Sequence, residues 1–324
     1  MRRKLPIMTT RVAVLDDYQD IARRYGDWGT LPEDAELTVF TDHLDEHDAL
    51  VERLEPFEVV CAMRERTPFP GELLARLPNL RLLVTTGRAN QSIDMEAARS
   101  LGITVSGTAS LTTPTVELTW ALILALARRI PQEDRSVRSG GWQRTVGADL
   151  HGATLGVMGL GRLGARVAAI GSAFGMRVLA WSPNLTDERA AEHGATRVER
   201  EELLRQCDIA TIHLKLGDRS RDLVGARELE LLGPDGFLVN TSRGPIVNED
   251  ALVAALRSGT IAGAGIDVYD SEPPPADHPL RTAPNCVLTP HLGYVTRDNY
   301  EVFFRETVED VVGFLRGSPV RVLN

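Results

Sequence analysis

The chain has little cysteine, no long apolar run and no excess of positive charge. Its three cysteines, Cys61, Cys207 and Cys286, are far apart and form no C-x-x-C pair. They suit a reducing compartment and provide neither a disulfide framework nor a metal site. The formal net charge of −9 argues against a nucleic-acid partner, because a phosphate backbone favours a basic surface. The longest apolar stretch, Trp120–Ala127, is too short to cross a bilayer, so we expect no membrane partner.

The N-terminal segment lacks the apolar region of a signal peptide, because Pro6 and Arg11 interrupt it. Together with the cysteine usage, this predicts a cytoplasmic protein. Lysine is scarce as well, since only Lys4 and Lys215 are lysines among the 36 basic residues. We attribute this bias to genome composition, although it draws attention to Lys215. With 324 residues, the chain is long enough for two domains.

Short β-rich runs alternate with helical patterns along the chain, which predicts an α/β fold with parallel sheets. In the first third, the predicted strands are Val12–Leu15, Leu37–Phe40, Val59–Met63, Leu82–Thr85 and Thr104–Ser106. In the remainder, they are Thr154–Met158, Arg177–Trp181, Ile209–His213, Phe237–Asn240, Gly265–Val268 and Cys286–Leu288.

The strongest predicted helix is Val116–Arg129. Pro114 precedes it, Glu117 lies in its first turn, and the pair Ile130-Pro131 ends it. An amphipathic helix over Asp298–Arg316 closes the chain. Because that helix follows the second set of strands, we expect it to return to the first domain and make that domain discontinuous.

The most informative motif is a glycine-rich turn between a strand and a helix. The strand Thr154–Met158 leads into Gly159, Gly161 and Gly164, which form G-x-G-x-x-G. In this context the glycines allow a tight turn and a close approach of the backbone to a pyrophosphate. The N–H groups of the following helix then face the negative charge. The motif and the strands after it predict a dinucleotide-binding domain.

Polar side chains follow three of the later predicted strands. Arg243 comes after the strand that ends at Asn240, Asp267 lies in the next strand with Glu272 a few residues on, and His291 follows the last strand. Ligands bind beyond the carboxyl ends of the strands in open parallel sheets. We therefore expect an arginine, a carboxylate and a histidine to converge there as an acid/base set.

The chain carries a series of motifs in a fixed order: GRANQSID at Gly87–Asp94, Trp142, the glycine turn at Gly156–Gly164, VNTSRGPIV at Val239–Val247, GIDVYDSEPP at Gly265–Pro274 and LTPHLG at Leu288–Gly293. With these motifs, the chain resembles the D-isomer-specific 2-hydroxyacid dehydrogenases over nearly its whole length. The resemblance implies two doubly wound parallel-sheet domains. One is a flavodoxin-like substrate domain made of residues 1–108 and 296–324, and the other is a Rossmann dinucleotide-binding domain made of residues 109–295.

The resemblance also implies hydride transfer between a nicotinamide cofactor and a small 2-keto or D-2-hydroxy acid, catalysed by Arg243, Glu272 and His291. His291 would supply the proton to the carbonyl oxygen and take it back during oxidation. Glu272 would keep the imidazole charged and oriented, and Arg243 would bind the substrate oxygens. The backbone N–H groups of Arg88 and Ala89 would anchor the carboxylate, in a cleft between the domains that closes on the substrate.

We expect NAD or NADP to bind residues that follow the strands of the second domain: Gly159, Gly161, Arg162, Leu163, Gly164, Ser182, Pro183, Asn184, His213, Leu214, Lys215, Thr241, Ser242, Asp267 and Gly293. No metal is expected. A homodimer is implied by the resemblance, with Val116–Arg129 and Gln132–Gly147 as its contact.

Three residues leave specificity open. Ser182 stands where an NAD-preferring site has Asp or Glu, and no Arg or Lys follows directly, so either NAD or NADP is possible. Lys215 either approaches the cofactor or is a solvated loop residue. The Arg88 side chain either favours larger or acidic substrates or points to solvent. Glyoxylate and hydroxypyruvate are the default substrates.

The main alternative is a non-catalytic, dinucleotide-sensing protein of the corepressor type, because such relatives can keep the same three residues. By the same resemblance, Glu272 disfavours a formate dehydrogenase, which has glutamine at that position. The end of the chain at Asn324 disfavours a phosphoglycerate dehydrogenase of the long type. Phosphite dehydrogenase shares the arginine, glutamate and histidine and stays open.

Overall fold

The structure is a computed structural model that describes residues 9–324. Residues 1–8, which include Pro6 of the signal-peptide argument, lie outside the described residues. Within the described range, no helix is both long and apolar enough to cross a membrane. Every pairing between the strands named below is parallel.

The strands form two sheets. Those of the first are β1 (Thr10–Val14), β2 (Ala35–Val39), β3 (Val59–Ala62), β4 (Leu82–Thr85) and β5 (Thr104–Gly107). Those of the second are β6 (Thr154–Met158), β7 (Arg177–Trp181), β8 (Thr196–Arg197), β9 (Ile209–Ile212), β10 (Phe237–Asn240), β11 (Gly263–Ile266) and β12 (Cys286–Leu288).

Helices connect and follow these strands. In chain order they are α1 (Ala22–Tyr25), α2 (His47–Leu54), α3 (Gly71–Leu74), α4 (Met95–Ser100), α5 (Thr113–Ala127), α6 (Ile130–Arg138), α7 (Arg162–Ala173), α8 (Asp187–Ala191), α9 (Arg200–Gln206), α10 (Ala226–Leu232), α11 (Glu249–Ser258) and α12 (Arg297–Leu315). Short 3₁₀ helices span Trp28–Thr30, Gly244–Ile246 and Pro279–Thr282.

The chain divides into two compact units, between Leu111 and Thr112 and again between Val295 and Thr296. The first unit holds a five-stranded sheet in the order β2-β1-β3-β4-β5, which is the flavodoxin-like order. Helix α12 returns to this unit and packs against β4 and β5. Phe303 is among its fully buried side chains, so this helix covers part of the sheet with apolar surface.

The second unit holds a seven-stranded sheet in the order β12-β11-β10-β9-β6-β7-β8. Its strand order reverses at β6 and β9, as in a doubly wound dinucleotide-binding sheet. Strands β6, β9, β10 and β11 are buried at every residue. This burial on both faces explains their nearly continuous apolar sequences. The predicted architecture of two doubly wound parallel sheets is confirmed.

Several predicted strand ends are shifted by one or two residues, and three further details differ from the prediction. The sequence did not indicate β8, because two residues are too short to show a strand period. Pro114 lies inside α5 rather than before it, and Glu117 therefore falls beyond the first turn, which contains no acidic residue. The pair Ile130-Pro131 does not simply end a helix. It begins α6, because the fixed φ of proline suits a first helical turn.

Candidate active site

The glycine turn between β6 and α7 has the geometry of a phosphate-binding loop. Gly159 has φ of +103°, and a Cβ there would come within 2.6 Å of the His213 carbonyl oxygen. At Gly164, a Cβ would overlap the carbonyl oxygen of Gly159, which explains the close contact of helix and strand. Gly161 faces open space and precedes α7 without a side-chain cap. The backbone there can therefore approach a pyrophosphate closely.

The ends of β7 and β9 border a cavity of about 400 Å³. Trp181 and Pro183 line it from β7, and Leu214 and Lys215 line it from β9. Its volume falls within the range of small-molecule sites, about 300–1,000 Å³. The cavity and the glycine turn together fit a bound dinucleotide.

Other residues of the predicted cofactor set surround this region. The Ser182 hydroxyl accepts a hydrogen bond from the Leu160 N–H at 2.9 Å, whereas Asn184 and Arg162 are exposed. His213 lies 3.0 Å from the Thr211 hydroxyl through Nε2. Burial lowers the pKa of His213 to about 4, so this imidazole is neutral at physiological pH.

Arg243 is placed by the polar turn that follows β10. The Asn240 side chain accepts the Ser242 N–H at 3.0 Å and donates to the Arg243 carbonyl at 2.9 Å. The Ser242 hydroxyl donates to the Leu214 carbonyl, and the Thr241 hydroxyl lies 2.8 Å from that of Thr119. These contacts fix the half-buried Arg243 at the carboxyl end of the sheet.

The segment after β11 packs directly against this turn. A Cβ at Gly244 would overlap the backbone of Tyr269 and Asp270, so the absence of a side chain lets the two segments meet. Tyr269 and Asp270 belong to the loop that carries Glu272. The segment that follows Arg243 therefore contacts the Glu272 loop.

Asp267 organises the loop that carries His291. It is fully buried, and its carboxylate accepts hydrogen bonds from the Thr289 hydroxyl at 2.6 Å, the Leu292 N–H at 2.7 Å and the Gly293 N–H at 2.9 Å. Burial raises the pKa of Asp267, while these hydrogen bonds act in the opposite direction. The His291 N–H also donates to the Asp267 carbonyl at 2.8 Å. Asp267 thus holds both sides of His291 in place.

Glu272 and His291 form a direct pair. Glu272 Oε2 lies 2.5 Å from His291 Nδ1, and Glu272 Oε1 accepts the Tyr269 N–H at 2.9 Å. Because a carboxylate only accepts, Nδ1 carries the proton and Nε2 is the free ring nitrogen for chemistry. The His291 backbone has φ of +52°, a left-handed conformation that is uncommon for a non-glycine residue and occurs at functional sites. Such a pair can donate or accept a proton at Nε2.

Glu249 braces the loop that carries Glu272. Its Oε1 accepts the Asp270 N–H at 3.0 Å, and its Oε2 lies 3.0 Å from His278 Nε2. Burial, followed by repulsion from Glu249 and Asp222, raises the pKa of Asp270 to about 6. Sequence reasoning missed Glu249, because nothing near it in the chain indicates that it reaches a loop 21 residues away.

The remaining predicted substrate residues belong to the first unit. Arg88 and Ala89 follow β4 and are exposed. Gly87 precedes them with φ of +97°, and its N–H donates to the Thr108 hydroxyl at 2.9 Å. Asn90 is buried and donates to the Arg64 carbonyl at 2.7 Å. The loop is therefore held at both ends and presents its middle to solvent.

The doubly wound sheet, its glycine turn and the paired histidine and glutamate define a dinucleotide-dependent oxidoreductase. The family model described as D-isomer specific 2-hydroxyacid dehydrogenase, NAD binding domain, matches residues 120–293. A glyoxylate reductase of Aeropyrum pernix is 43% identical over an alignment of 264 residues, and the match covers 78% of this chain and 79% of that protein. The chain belongs to the D-isomer-specific 2-hydroxyacid dehydrogenase family, and its cofactor is NAD or NADP.

Two further relatives illustrate the extent of the match. A D-3-phosphoglycerate dehydrogenase of Archaeoglobus fulgidus is 37% identical over 277 residues, which are 85% of this chain and 52% of that protein. A phosphoglycerate oxidoreductase of Vibrio cholerae O395 superposes with a TM-score of 0.90 at 36% identity, and the match covers 95% of this chain and 100% of that one.

Proposed function

We propose that this enzyme reduces small 2-keto acids of the glyoxylate or hydroxypyruvate type, with His291 as the proton donor. The observation that carries the proposal is the 2.5 Å contact between His291 Nδ1 and Glu272 Oε2. It leaves Nε2 available to a carbonyl oxygen and keeps the imidazolium stabilised by a neighbouring negative charge. In the oxidative direction, Nε2 accepts the hydroxyl proton.

Arg243 binds the substrate in this proposal. Its guanidinium can contact a carboxylate and a carbonyl oxygen together, and it stabilises the negative charge that develops on the carbonyl oxygen. The turn after β10 holds Arg243, and the contact between Gly244 and Tyr269 keeps that turn beside the Glu272 loop. Arg88 and Ala89 supply backbone N–H groups for the substrate carboxylate, and the exposed Arg88 side chain favours larger or acidic substrates.

The cofactor supplies the hydride when it is bound. The glycine turn at Gly159, Gly161 and Gly164 would hold its pyrophosphate, and the cavity beside Pro183 and Leu214 would hold its adenosine. Asp267 positions the His291 loop through its hydrogen bonds. In this proposal, residues 109–295 form the domain that binds the dinucleotide, and residues 1–108 and 296–324 form the domain that binds the substrate.

We also propose that the enzyme is a cytoplasmic homodimer that uses Val116–Arg129 and Gln132–Gly147 as its contact. Trp142 is 72% exposed and Val146 is 93% exposed. Glu133 holds their segment by accepting the Thr145 N–H at 2.7 Å. Exposed apolar side chains on a segment that is held in this way support a protein contact. Light scattering should give twice the mass of the chain, and a Trp142→Ser, Val146→Ser variant should be monomeric. A monomeric parent protein would contradict this.

The activity is tested by following NADH and NADPH consumption with a panel of 2-keto acids, from glyoxylate to bulky aryl keto acids. We expect turnover with the small acids and its loss in His291→Gln. For Arg88→Ala, we expect a lower kcat/KM with acidic or large substrates relative to glyoxylate. Tight nucleotide binding without turnover of any keto acid would refute the proposed reaction.

A further inference from the structure

We propose that the loop Lys215–Ser220 is a binding site for the 2′-phosphate of NADP(H), so that this enzyme prefers NADP(H) to NAD(H). The inference rests on the proposed adenosine position at the end of β7. It concerns the choice of coenzyme, which the family leaves open.

The end of β7 lacks an acidic side chain. In dinucleotide-binding sheets, an acidic side chain at this strand end accepts the ribose 2′-hydroxyl of NAD and repels a 2′-phosphate. Here the strand ends at Trp181 and Ser182 follows, with no acidic residue before Asp187. The Ser182 hydroxyl accepts the Leu160 N–H. Asp187 lies in the first turn of α8, 3.8 Å from Arg197.

The opposite wall of the cavity carries cationic side chains. Lys215 and Arg219 line the cavity of about 400 Å³ that Trp181 and Pro183 border from β7. Asp218 lines it as well, so the charges of this loop at the cavity are +2 and −1, and their sum is +1. In NADP sites, cationic side chains near the strand end that corresponds to β7 accommodate the 2′-phosphate. Charge-assisted hydrogen bonds to phosphate are strong.

Hydrogen bonds within the loop preorganise it. The buried Ser220 hydroxyl donates to the Lys215 carbonyl at 2.7 Å and accepts the Gly217 N–H at 2.9 Å. The Gly217 carbonyl in turn accepts the Arg221 N–H at 3.0 Å. The Ser220 side chain thus bonds the start and the middle of the loop. A fixed loop binds a phosphate with less loss of conformational entropy than a free one. A 2′-phosphate site would also assign a role to Lys215, one of two lysines in the chain.

The test is isothermal titration calorimetry with NADP⁺ and NAD⁺, which differ only in the 2′-phosphate, and with 2′,5′-ADP and 5′-AMP as the shorter pair. We expect NADP⁺ to bind at least about tenfold more tightly, since a hydrogen bond to a charged group contributes about tenfold or more to an equilibrium constant. Lys215→Ala and Arg219→Ala should each weaken NADP⁺ binding about tenfold more than they weaken NAD⁺ binding.

Arg221→Ala is the matched control, because Arg221 is exposed on the same segment and does not line the cavity. It should change neither affinity. Ser182→Asp should reverse the preference, because a carboxylate there repels the phosphate and can still accept the Leu160 N–H. Tighter binding of NAD⁺, or equal losses for both nucleotides in the loop variants, would overturn this inference alone. Failure of both nucleotides to bind would overturn the proposed function as well.

Discussion

Replacing Glu272 by glutamine tests how much the contact with His291 contributes to the reaction. The substitution keeps the size of the side chain and an oxygen that can accept the Tyr269 N–H, but it removes the charge. The glutamine nitrogen facing Nδ1 would donate, so it favours the ring form with a proton on Nε2 alone. That form cannot act as the base in oxidation, and the imidazolium needed for reduction loses its acceptor.

The magnitude follows from the exposure of the pair. The side chains of His291 and Glu272 are 21% and 30% exposed. At a charge separation of about 4 Å, an effective dielectric constant between about 20 and 80 gives about 1–4 kcal/mol. A hydrogen bond to a charged group contributes about 1.5–3 kcal/mol. The overlap of these ranges corresponds to a ten- to hundredfold loss, at about 1.4 kcal/mol for each factor of ten.

The assay is steady-state NAD(P)H oxidation with glyoxylate, together with the reverse reaction. Glu272→Gln should lower kcat/KM by about 10–100-fold in both directions, and Glu272→Asp should recover part of the loss because it restores the charge. Nucleotide affinity should stay unchanged, since Glu272 contacts His291 and Tyr269 in this structure. A glutamine variant within about twofold of the parent enzyme would refute the assigned role of the pair.

Three further predictions follow from other contacts. Glu249→Ala should lower kcat/KM by about tenfold, the equivalent of one lost hydrogen bond, while Glu249→Gln keeps an acceptor for the loop and should recover most of the activity. Alanine at the exposed Glu230 is the control, and equal activity of all variants would show that Glu249 does not support the Glu272 loop. Gly164→Ala should cost about 1–3 kcal/mol of stability through overpacking, measured as a lower Tm. Gly161 faces open space, so Gly161→Ala should keep its Tm and weaken NAD(P) binding. The opposite pattern would contradict the packing role of Gly164 and the binding role of Gly161. Burial raises the pKa of Asp310 to about 7 from 3.8, although Arg321 lies 2.9 Å from its carboxylate and acts in the opposite direction. The folded state then retains a proton that the unfolded state has released. The free energy of unfolding should therefore fall, by at most about 4 kcal/mol, as the pH rises from about 4 to about 7. Urea unfolding should show a flatter profile for Asp310→Asn, and an unchanged slope would exclude this group as its source.

The sequence predicted those parts of the molecule that depend on local patterns. The glycine turn, the strand before it and the helix after it are adjacent in the chain, so the spacing of Gly159, Gly161 and Gly164 was sufficient. The strand ends were also predictable, because parallel strands place their carboxyl ends at one edge of the sheet. This rule located Arg243 and His291 correctly at the ends of β10 and β12.

The contacts that position these side chains could not be predicted. The hydrogen bonds from Glu249 to Asp270 and His278 join residues 21 and 29 positions apart, and no periodicity connects them. The buried hydrogen bonds of Asp267 likewise depend on the contact between the loop after β12 and the residue that follows β11. The short strand β8 exists because β7 offers an edge for pairing, which is a tertiary effect rather than a local preference.

The most direct measurement is the rate of glyoxylate-dependent NAD(P)H oxidation by His291→Asn, with nucleotide binding measured on the same preparation. Asparagine tolerates the left-handed backbone at this position better than most residues, so the fold should be retained. We expect unchanged nucleotide affinity and a fall in kcat of about 10²–10⁴-fold, the usual contribution of a general acid. A variant that binds the nucleotide and keeps a kcat within about tenfold of the parent enzyme would contradict the assignment of His291 as the proton donor.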